Sequence, residues 1–195
     1  PSPPPPSNAT LLNGDFESPV VADGSLRNAG SMWGNWLHLD PASTGKPGSI
    51  MTSANGAYTL PSGSAQSYHI SGYCATSANL GGIQQTLAGT FGEGTSYSLS
   101  FQASGGSWST LLANDVVRVT MEGASVWGTQ DFTTTGTIQD GVWDSFTFGF
   151  TVPQGESGAG TLSFTTPTAG ANCTQIDNVV LTALVPPSTP PSPST

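Results

Sequence analysis

Apolar and polar residues alternate with a period of two along most of the chain. In residues 95–103 the apolar side chains of Tyr97, Leu99 and Phe101 alternate with serines, and residues 142–152 repeat the pattern with three phenylalanines. A period of two gives an extended strand one apolar face and one polar face, whereas a helix shows a period of about 3.6. Both segments are therefore predicted to be strands that line a core.

The same reasoning predicts seven further strands, separated by turns rich in glycine, asparagine and serine. They are expected at about residues 10–17, 33–40, 66–72, 82–87, 115–122, 159–166 and 175–184. No segment has a sustained helical period. The predicted fold class is all-β, a single antiparallel β-sandwich of jelly-roll type.

Proline-rich segments flank this body. Ten of the 16 prolines lie in residues 1–6 and 186–195, which carry no charged side chain. Proline fixes φ and lacks an N–H, so such segments are expected to form extended polyproline II tails. We predict linkers at residues 1–9 and 186–195 around a sandwich domain at 10–185, and this organisation is typical of one unit of a mosaic extracellular protein.

The net charge of the chain limits the classes of partner that it is expected to bind. Three basic residues stand against 12 acidic ones, which gives a formal net charge of −9. Nucleic acid is not expected as a partner, because phosphate binding needs a basic surface. Membrane insertion is not expected either, since no apolar run approaches the ~20 residues of a spanning helix.

Cysteines and sequons indicate an extracellular location in the cell wall, matrix or cell surface. Cys74 and Cys173 could form a disulfide, which would fit an oxidising compartment, although two reduced thiols in the cytosol remain the alternative. The tripeptides that begin at Asn8 and Asn172 match the N-glycosylation pattern.

The order of short motifs resembles a known fold family. Leu11-Leu12-Asn13-Gly14-Asp15-Phe16-Glu17 opens the body and Ile176-Asp177-Asn178-Val179-Val180-Leu181 closes it, with Gly82–Leu87 and Thr95–Phe101 between them. This succession resembles the galactose-binding-like jelly rolls, which include carbohydrate-binding modules and a plant cell-wall domain family. The proline-rich tails also resemble those of hydroxyproline-rich wall glycoproteins.

The resemblance implies a structural calcium ion. In the carbohydrate-binding families the glutamate of the opening motif and the aspartate of the closing strand commonly hold calcium. The matching positions here are Glu17 and Asp177, with Asp15 as a third carboxylate. Calcium prefers several oxygen ligands, so the expected cofactor would join the two ends of the domain. The alternative is that these are solvated edge and turn residues.

Aromatic side chains are the candidates for binding sugar, because pyranose rings pack on indole and phenol faces. The residues that depart from the core alternation are Trp33, Trp36, Tyr73, Trp108 and Trp127. Trp108 lies in a polar glycine-rich loop, whereas Trp36 and Trp127 are expected to be core residues. A polysaccharide or other glycan is therefore the predicted partner.

Catalysis is not expected from the sequence. Glu93, Glu122, Asp131 and Asp144 form no recognisable acid pair, and His38 and His69 accompany no nucleophile motif. We therefore predict a non-catalytic extracellular module of a proline-rich glycoprotein that acts by carbohydrate binding and adhesion. The first alternative is a structural subunit that self-associates into a matrix layer or surface filament. A lesser alternative is an accessory module of a secreted glycoside hydrolase.

Overall fold

The described part of the chain forms twelve strands. The computed structural model describes residues 8–20, 26–27, 32–39, 48–52, 59–70, 81–105, 115–138, 140–167 and 174–184. The strands, in chain order, are Leu26–Arg27 (β1), Met32–Trp33 (β2), Trp36–Leu39 (β3), Gly48–Thr52 (β4), Gln66–His69 (β5), Gly82–Thr86 (β6), Ser96–Ser104 (β7), Val116–Glu122 (β8), Val126–Thr133 (β9), Asp144–Thr151 (β10), Thr161–Thr165 (β11) and Gln175–Leu184 (β12).

The strands make two six-stranded antiparallel sheets. The first sheet has the order β1-β4-β5-β12-β7-β10, and the second has the order β2-β3-β6-β11-β8-β9. In the second half of the chain, β8 and β9 form a hairpin in the second sheet, and the other successive strands pass from one sheet to the other, as in a jelly roll. The described residues contain no helix long and apolar enough to cross a membrane. The predicted all-β sandwich of jelly-roll type is confirmed, while the two proline-rich tails lie outside the described residues.

Most of the predicted strands are present, and one is not. Residues 10–17 form no strand, although Thr10 makes an isolated bridge to Ala88. Asn13 and Phe16 have φ values of +51° and +54°. These values belong to the left-handed region, which an extended strand cannot contain. This segment is therefore an irregular connection that crosses from one sheet to the other.

Aromatic side chains from both sheets fill the core. On β7, Phe101 contacts Phe132 of β9, Phe164 of β11 and Phe146 of β10, with ring centroids 5.2–5.4 Å apart. These are the tilted and edge-on arrangements that aromatic quadrupoles favour. Rings of both sheets meet at Phe101. The core therefore requires that apolar and polar residues alternate in several strands at once.

The first and last parts of the domain approach closely at Gly14. Its carbonyl accepts a hydrogen bond of 2.8 Å from the Val179 N–H. A Cβ atom at position 14 would lie 2.0 Å from the Val179 carbonyl oxygen. Only glycine allows this approach, so the N-terminal segment is held directly against β12.

A bulge in β12, next to the contact with Gly14, sets the direction of the neighbouring side chains. The pairing of β12 with β7 shifts between Asp177 and Val180, and Asn178 has a φ of +51°. The Asn178 amide donates a 2.7 Å hydrogen bond to the Gln102 side-chain oxygen of β7. Asparagine tolerates the left-handed conformation, and its amide makes a hydrogen bond in that conformation. This hydrogen bond stabilises the bulge.

We expect Phe101→Ala to lower the free energy of unfolding by about 3–5 kcal/mol, because it removes a ring that packs against both sheets. Denaturant unfolding followed by tryptophan fluorescence measures the loss. Ser100→Ala is the matched control on the same strand, since Ser100 is exposed and its replacement should change stability by less than about 0.5 kcal/mol. Equal effects of the two substitutions would contradict the assignment of Phe101 to the core.

Candidate functional site

A surface groove runs between the N-terminal segment and β12. Its volume is about 470 Å³, which is within the ~300–1,000 Å³ usual for small-molecule sites. The groove is lined on one side by Ala9, Thr10, Leu11, Asn13, Gly14 and Asp15 and on the other by Asn178, Val179, Val180 and Leu181.

Hydrogen bonds fix the N-terminal wall of this groove to the second sheet. The Thr10 N–H donates to the Ala88 carbonyl over 2.7 Å. The Gln85 side chain accepts from the Leu12 N–H at 2.8 Å and donates to the Leu12 carbonyl at 2.7 Å. One glutamine thus satisfies both backbone groups of a residue that belongs to no strand, and the wall is ordered without sheet pairing.

A buried carboxyl lies behind the wall. The side chain of Asp177 is fully buried. Its Oδ1 atom accepts a 2.7 Å hydrogen bond from the Asn178 N–H, and its Oδ2 atom has no hydrogen-bond partner among the described residues. The pKa of Asp177 is raised from 3.8 to about 7, mainly by burial. The charges of Glu17 and Asp15 act in the same direction, whereas hydrogen bonds from Ser64 and the Asn178 N–H lower the pKa. Asp177 therefore exists partly as the neutral acid at neutral pH.

The two neighbouring carboxylates have different surroundings. Glu17 is half-buried, and its Oε1 atom accepts hydrogen bonds from the Ala65 N–H at 2.6 Å and the Gln66 N–H at 3.0 Å. Asp15 is exposed in the groove wall. The three carboxylates that the sequence assigned to calcium are thus brought to one region of the fold, where two of them act on the pKa of the third.

The chemistry of this region fits a hard cation in part. A buried carboxylate oxygen without a hydrogen-bond partner is what an oxygen-liganded ion would satisfy. Among the described residues, however, no group of three or more histidine, cysteine, aspartate or glutamate side chains could hold a metal ion. A calcium ion would therefore need backbone carbonyls beside Asp177 and Glu17.

The two histidines are buried away from the groove. His38 and Tyr68 make a 2.6 Å contact between the His38 Nδ1 and Tyr68 hydroxyl atoms, which joins β3 of one sheet to β5 of the other. Burial lowers the pKa of His69 from 6.5 to about 4. His69 is therefore neutral at physiological pH and is a poor general base.

The tryptophans proposed as sugar platforms are core residues where they are described. Trp33 and Trp36 are at most 1% exposed, and Trp127 is 8% exposed. The indole N–H of Trp36 donates to the Asn13 carbonyl at 2.9 Å. The burial expected for Trp36 and Trp127 is observed, and Trp33 offers no ring face to a ligand. Tyr73 and Trp108 lie outside the described residues.

The remaining predicted sites are mostly outside the described residues. This applies to Cys74, Cys173 and Asn172. Asn8 is exposed, and its side-chain oxygen accepts a 2.7 Å hydrogen bond from the Thr90 N–H. Glycosylation at Asn8 stays a prediction.

The acidic residues considered for glycosidase chemistry serve local structure. Asp131 forms a bidentate ion pair with Arg118 on the second sheet, and Asp144 accepts hydrogen bonds from Thr135 and Gly136. Glu93 accepts a 3.0 Å bond from the Gly155 N–H. Asp131 stabilises the pairing of β8 with β9, whereas Asp144 and Glu93 stabilise turns beside strand ends.

Sequence reasoning missed three residues of the site. Gln85, Gln102 and Asn178 hold the groove wall and the bulge, but each appears in the sequence as an ordinary strand residue. Only the partial alternation at residues 175–184, where Asn178 interrupts the pattern, signals the bulge.

Solved structures share this fold. A Stig cyclase, Fisc from Fischerella sp. TAU in complex with (3Z)-3-(1-methyl-2-pyrrolidinylidene)-3H-indole, has a TM-score of 0.66 and 19% identity over 90% of this chain and 96% of that chain. The carbohydrate-binding module TmCBM61 in complex with β-1,4-galactotriose has a TM-score of 0.55 and 15% identity over 90% and 99%. The expected relation to jelly-roll carbohydrate-binding modules is confirmed for the fold. No curated protein sequence matches the chain significantly.

The match to a family model bears on whether the chain is a binding module or an enzyme. Residues 7–182 match the HpiC1-like model, which is described as HpiC1 cyclase. A cyclase is an enzyme, so the prediction of a non-catalytic adhesion module or structural subunit is wrong, as is the prediction that the chain is not an enzyme. The sequence contains no recognisable acid pair, and the burial of Asp177 is a property of the folded chain alone. The chain belongs to the HpiC1-like family.

Proposed function

We propose that this chain is a ring-forming enzyme that acts on a small organic molecule in the groove between residues 9–15 and 178–181. The observation that carries the proposal is the buried Asp177, whose pKa is raised by burial to about 7. The description of the family as a cyclase supports the reaction class. An acid with a pKa near the working pH is the group that general acid catalysis needs.

The proposed chemistry is an isomerisation. A protonated carboxyl gives its proton to an unsaturated substrate and makes one atom electrophilic. A nucleophilic atom of the same molecule then forms the ring bond, and the cyclised cation returns a proton to the carboxylate. Atoms and electrons balance without an oxidant or reductant, and a general acid contributes about 10²–10⁴-fold to such a step.

Asp177 and Asp15 have separate roles in the proposed reaction. Asp15 is exposed in the groove wall and can contact the substrate. Asp177 lies behind that wall, near enough to Asp15 for the charge of Asp15 to raise its pKa. In this proposal Asp177 holds the proton for the reaction, and Asp15 binds the molecule in the groove.

A structural calcium ion is a second candidate role for the same carboxyl. The unpartnered Oδ2 atom of Asp177 favours it, as does the position of Glu17 nearby. Calcium held by Asp177, Glu17 and backbone carbonyls would stabilise the contact between the two ends of the domain. A carboxylate bound to calcium cannot also keep a proton, so the two roles predict opposite effects of calcium on turnover.

A sugar-derived substrate is the alternative to an aromatic one. The support is the fold shared with a module solved with galactotriose. The burial of Trp33, Trp36 and Trp127 removes these three rings as stacking platforms. A substrate screen therefore includes both indole-type and sugar-derived precursors.

We expect Asp177→Asn to reduce ring closure at least about tenfold, because the amide cannot donate the acidic proton. The assay incubates unsaturated precursors in D₂O and detects a product isomeric with the precursor apart from deuterium taken up at carbon. Wild-type turnover should fall as pH rises through about 7, since the acid form is lost. Glu122→Gln is the control, because Glu122 is an exposed carboxylate on the other sheet. Unchanged turnover in Asp177→Asn would refute the acid role.

We expect the calcium-free protein to lose stability relative to Asp177→Asn as pH rises. The folded pKa of about 7 lies above the usual 3.8, so the contribution of the neutral carboxyl is fully present below about pH 3.8 and is lost as pH rises to about 7. Urea unfolding at pH 4–8 in chelator measures the difference. A pH-independent difference would show that Asp177 is not buried in the neutral form.

We expect calcium to raise the melting temperature more at pH 8 than at pH 5, because binding must displace the proton of Asp177. Differential scanning calorimetry with calcium or magnesium makes the measurement, and Glu17→Gln should diminish the shift. No calcium-dependent shift at either pH would eliminate the calcium role. Inhibition of turnover by calcium would favour the acid role, and support of turnover would favour the ligand role.

A further inference from the structure

The groove combines apolar and polar side chains on both of its walls. Leu11, Val180 and Leu181 give it an apolar surface, and Val180 is 53% exposed. Asp15, Asn13 and Asn178 supply the polar side chains. An exposed valine and an exposed carboxylate thus line the same groove. This pairing is the usual composition of a site that binds an amphiphilic small molecule.

The charge of the site has one sign. Among the described residues, its lining contains Asp15 and no basic side chain, and Glu17 and Asp177 lie nearby. Arg118, a basic residue whose side chain is described, is paired with Asp131 on the other sheet. The whole chain carries a formal net charge of −9. Fields of one sign in a cleft concentrate ligands of the opposite charge, so an anionic ligand is disfavoured.

We infer that the groove selects an organic cation with an apolar body, for which Asp15 binds a protonated nitrogen while Leu11, Val180 and Leu181 pack against the hydrocarbon part. As a substrate class this inference rests on the proposed ring-forming function. As a binding site it stands on the groove alone. The volume of about 470 Å³ accommodates a bicyclic ring with a short side chain.

Three probes with the same ring test the inference. Tryptamine is cationic, indole is neutral and indole-3-propionate is anionic. Methyl NMR of Leu11, Val180 and Leu181 at low salt, in chelator so that calcium does not compete for Asp15, reports both site and affinity. We expect tryptamine to bind about two- to fivefold more tightly than indole, as one exposed ion pair supplies. Indole-3-propionate should bind more weakly than indole.

Two substitutions separate charge from apolar contact. Asp15→Asn should reduce the affinity for tryptamine to that for indole, while its side-chain oxygen can still accept the hydrogen bond from the Glu17 N–H. Val180→Ser should weaken all three probes by a similar factor. Glu122→Gln, which removes one negative charge from the other sheet, should leave the preference for tryptamine intact. Circular dichroism of each variant checks the fold.

The possible results test the proposed ligand class and the proposed reaction separately. Equal affinities for the three probes, or methyl shifts that do not involve Leu11, Val180 or Leu181, would overturn the inference even if ring closure is observed. A preference for tryptamine that persists in Asp15→Asn would also overturn it. The predicted ranking without product from any precursor would support the cation site and refute the cyclase proposal.

Discussion

The close contact between residues 13–17 and the bulge of β12 is the constraint on which the functional region depends. Gly14 meets the backbone of Val179, and Asn178 keeps a left-handed φ while its amide bonds Gln102. Together they place Asp177 out of water beneath the N-terminal segment. The raised pKa of Asp177 follows from this burial, because desolvation disfavours the charged form.

The same contact creates the groove. Residues 9–15 lie beside β12 without joining the sheet, because Asn13 and Phe16 have positive φ values and Gln85 satisfies the backbone of Leu12. If the segment paired regularly with β12, it would fill the space that the groove occupies. An irregular connection at this position thus leaves a groove on the surface and covers a carboxyl.

Proteins of different function share the jelly roll. For this reason the sequence predicted the fold correctly and the function wrongly. The resemblance to carbohydrate-binding modules led to the correct fold, and the relation to TmCBM61 confirms it. The function carried over with that resemblance was wrong, because one scaffold hosts both binding modules and cyclases. Large aromatic residues strengthened the error. Trp33 and Trp36 break the simple alternation, yet they fill the core between sheets.

The sequence by itself determined the sandwich and most of its strands, because period-two alternation in β7, β8, β10 and β11 records which face is buried. It did not predict β9, where Trp127 and Phe132 are buried but Thr129, Gln130 and Asp131 are exposed. The two buried aromatics are five positions apart, an odd number that breaks a period of two, and the residues before Phe132 are polar. The sequence also singled out Asp15, Glu17 and Asp177. Only the tertiary structure decided their surroundings, because desolvation of Asp177 and the width of the groove depend on contacts between opposite ends of the chain.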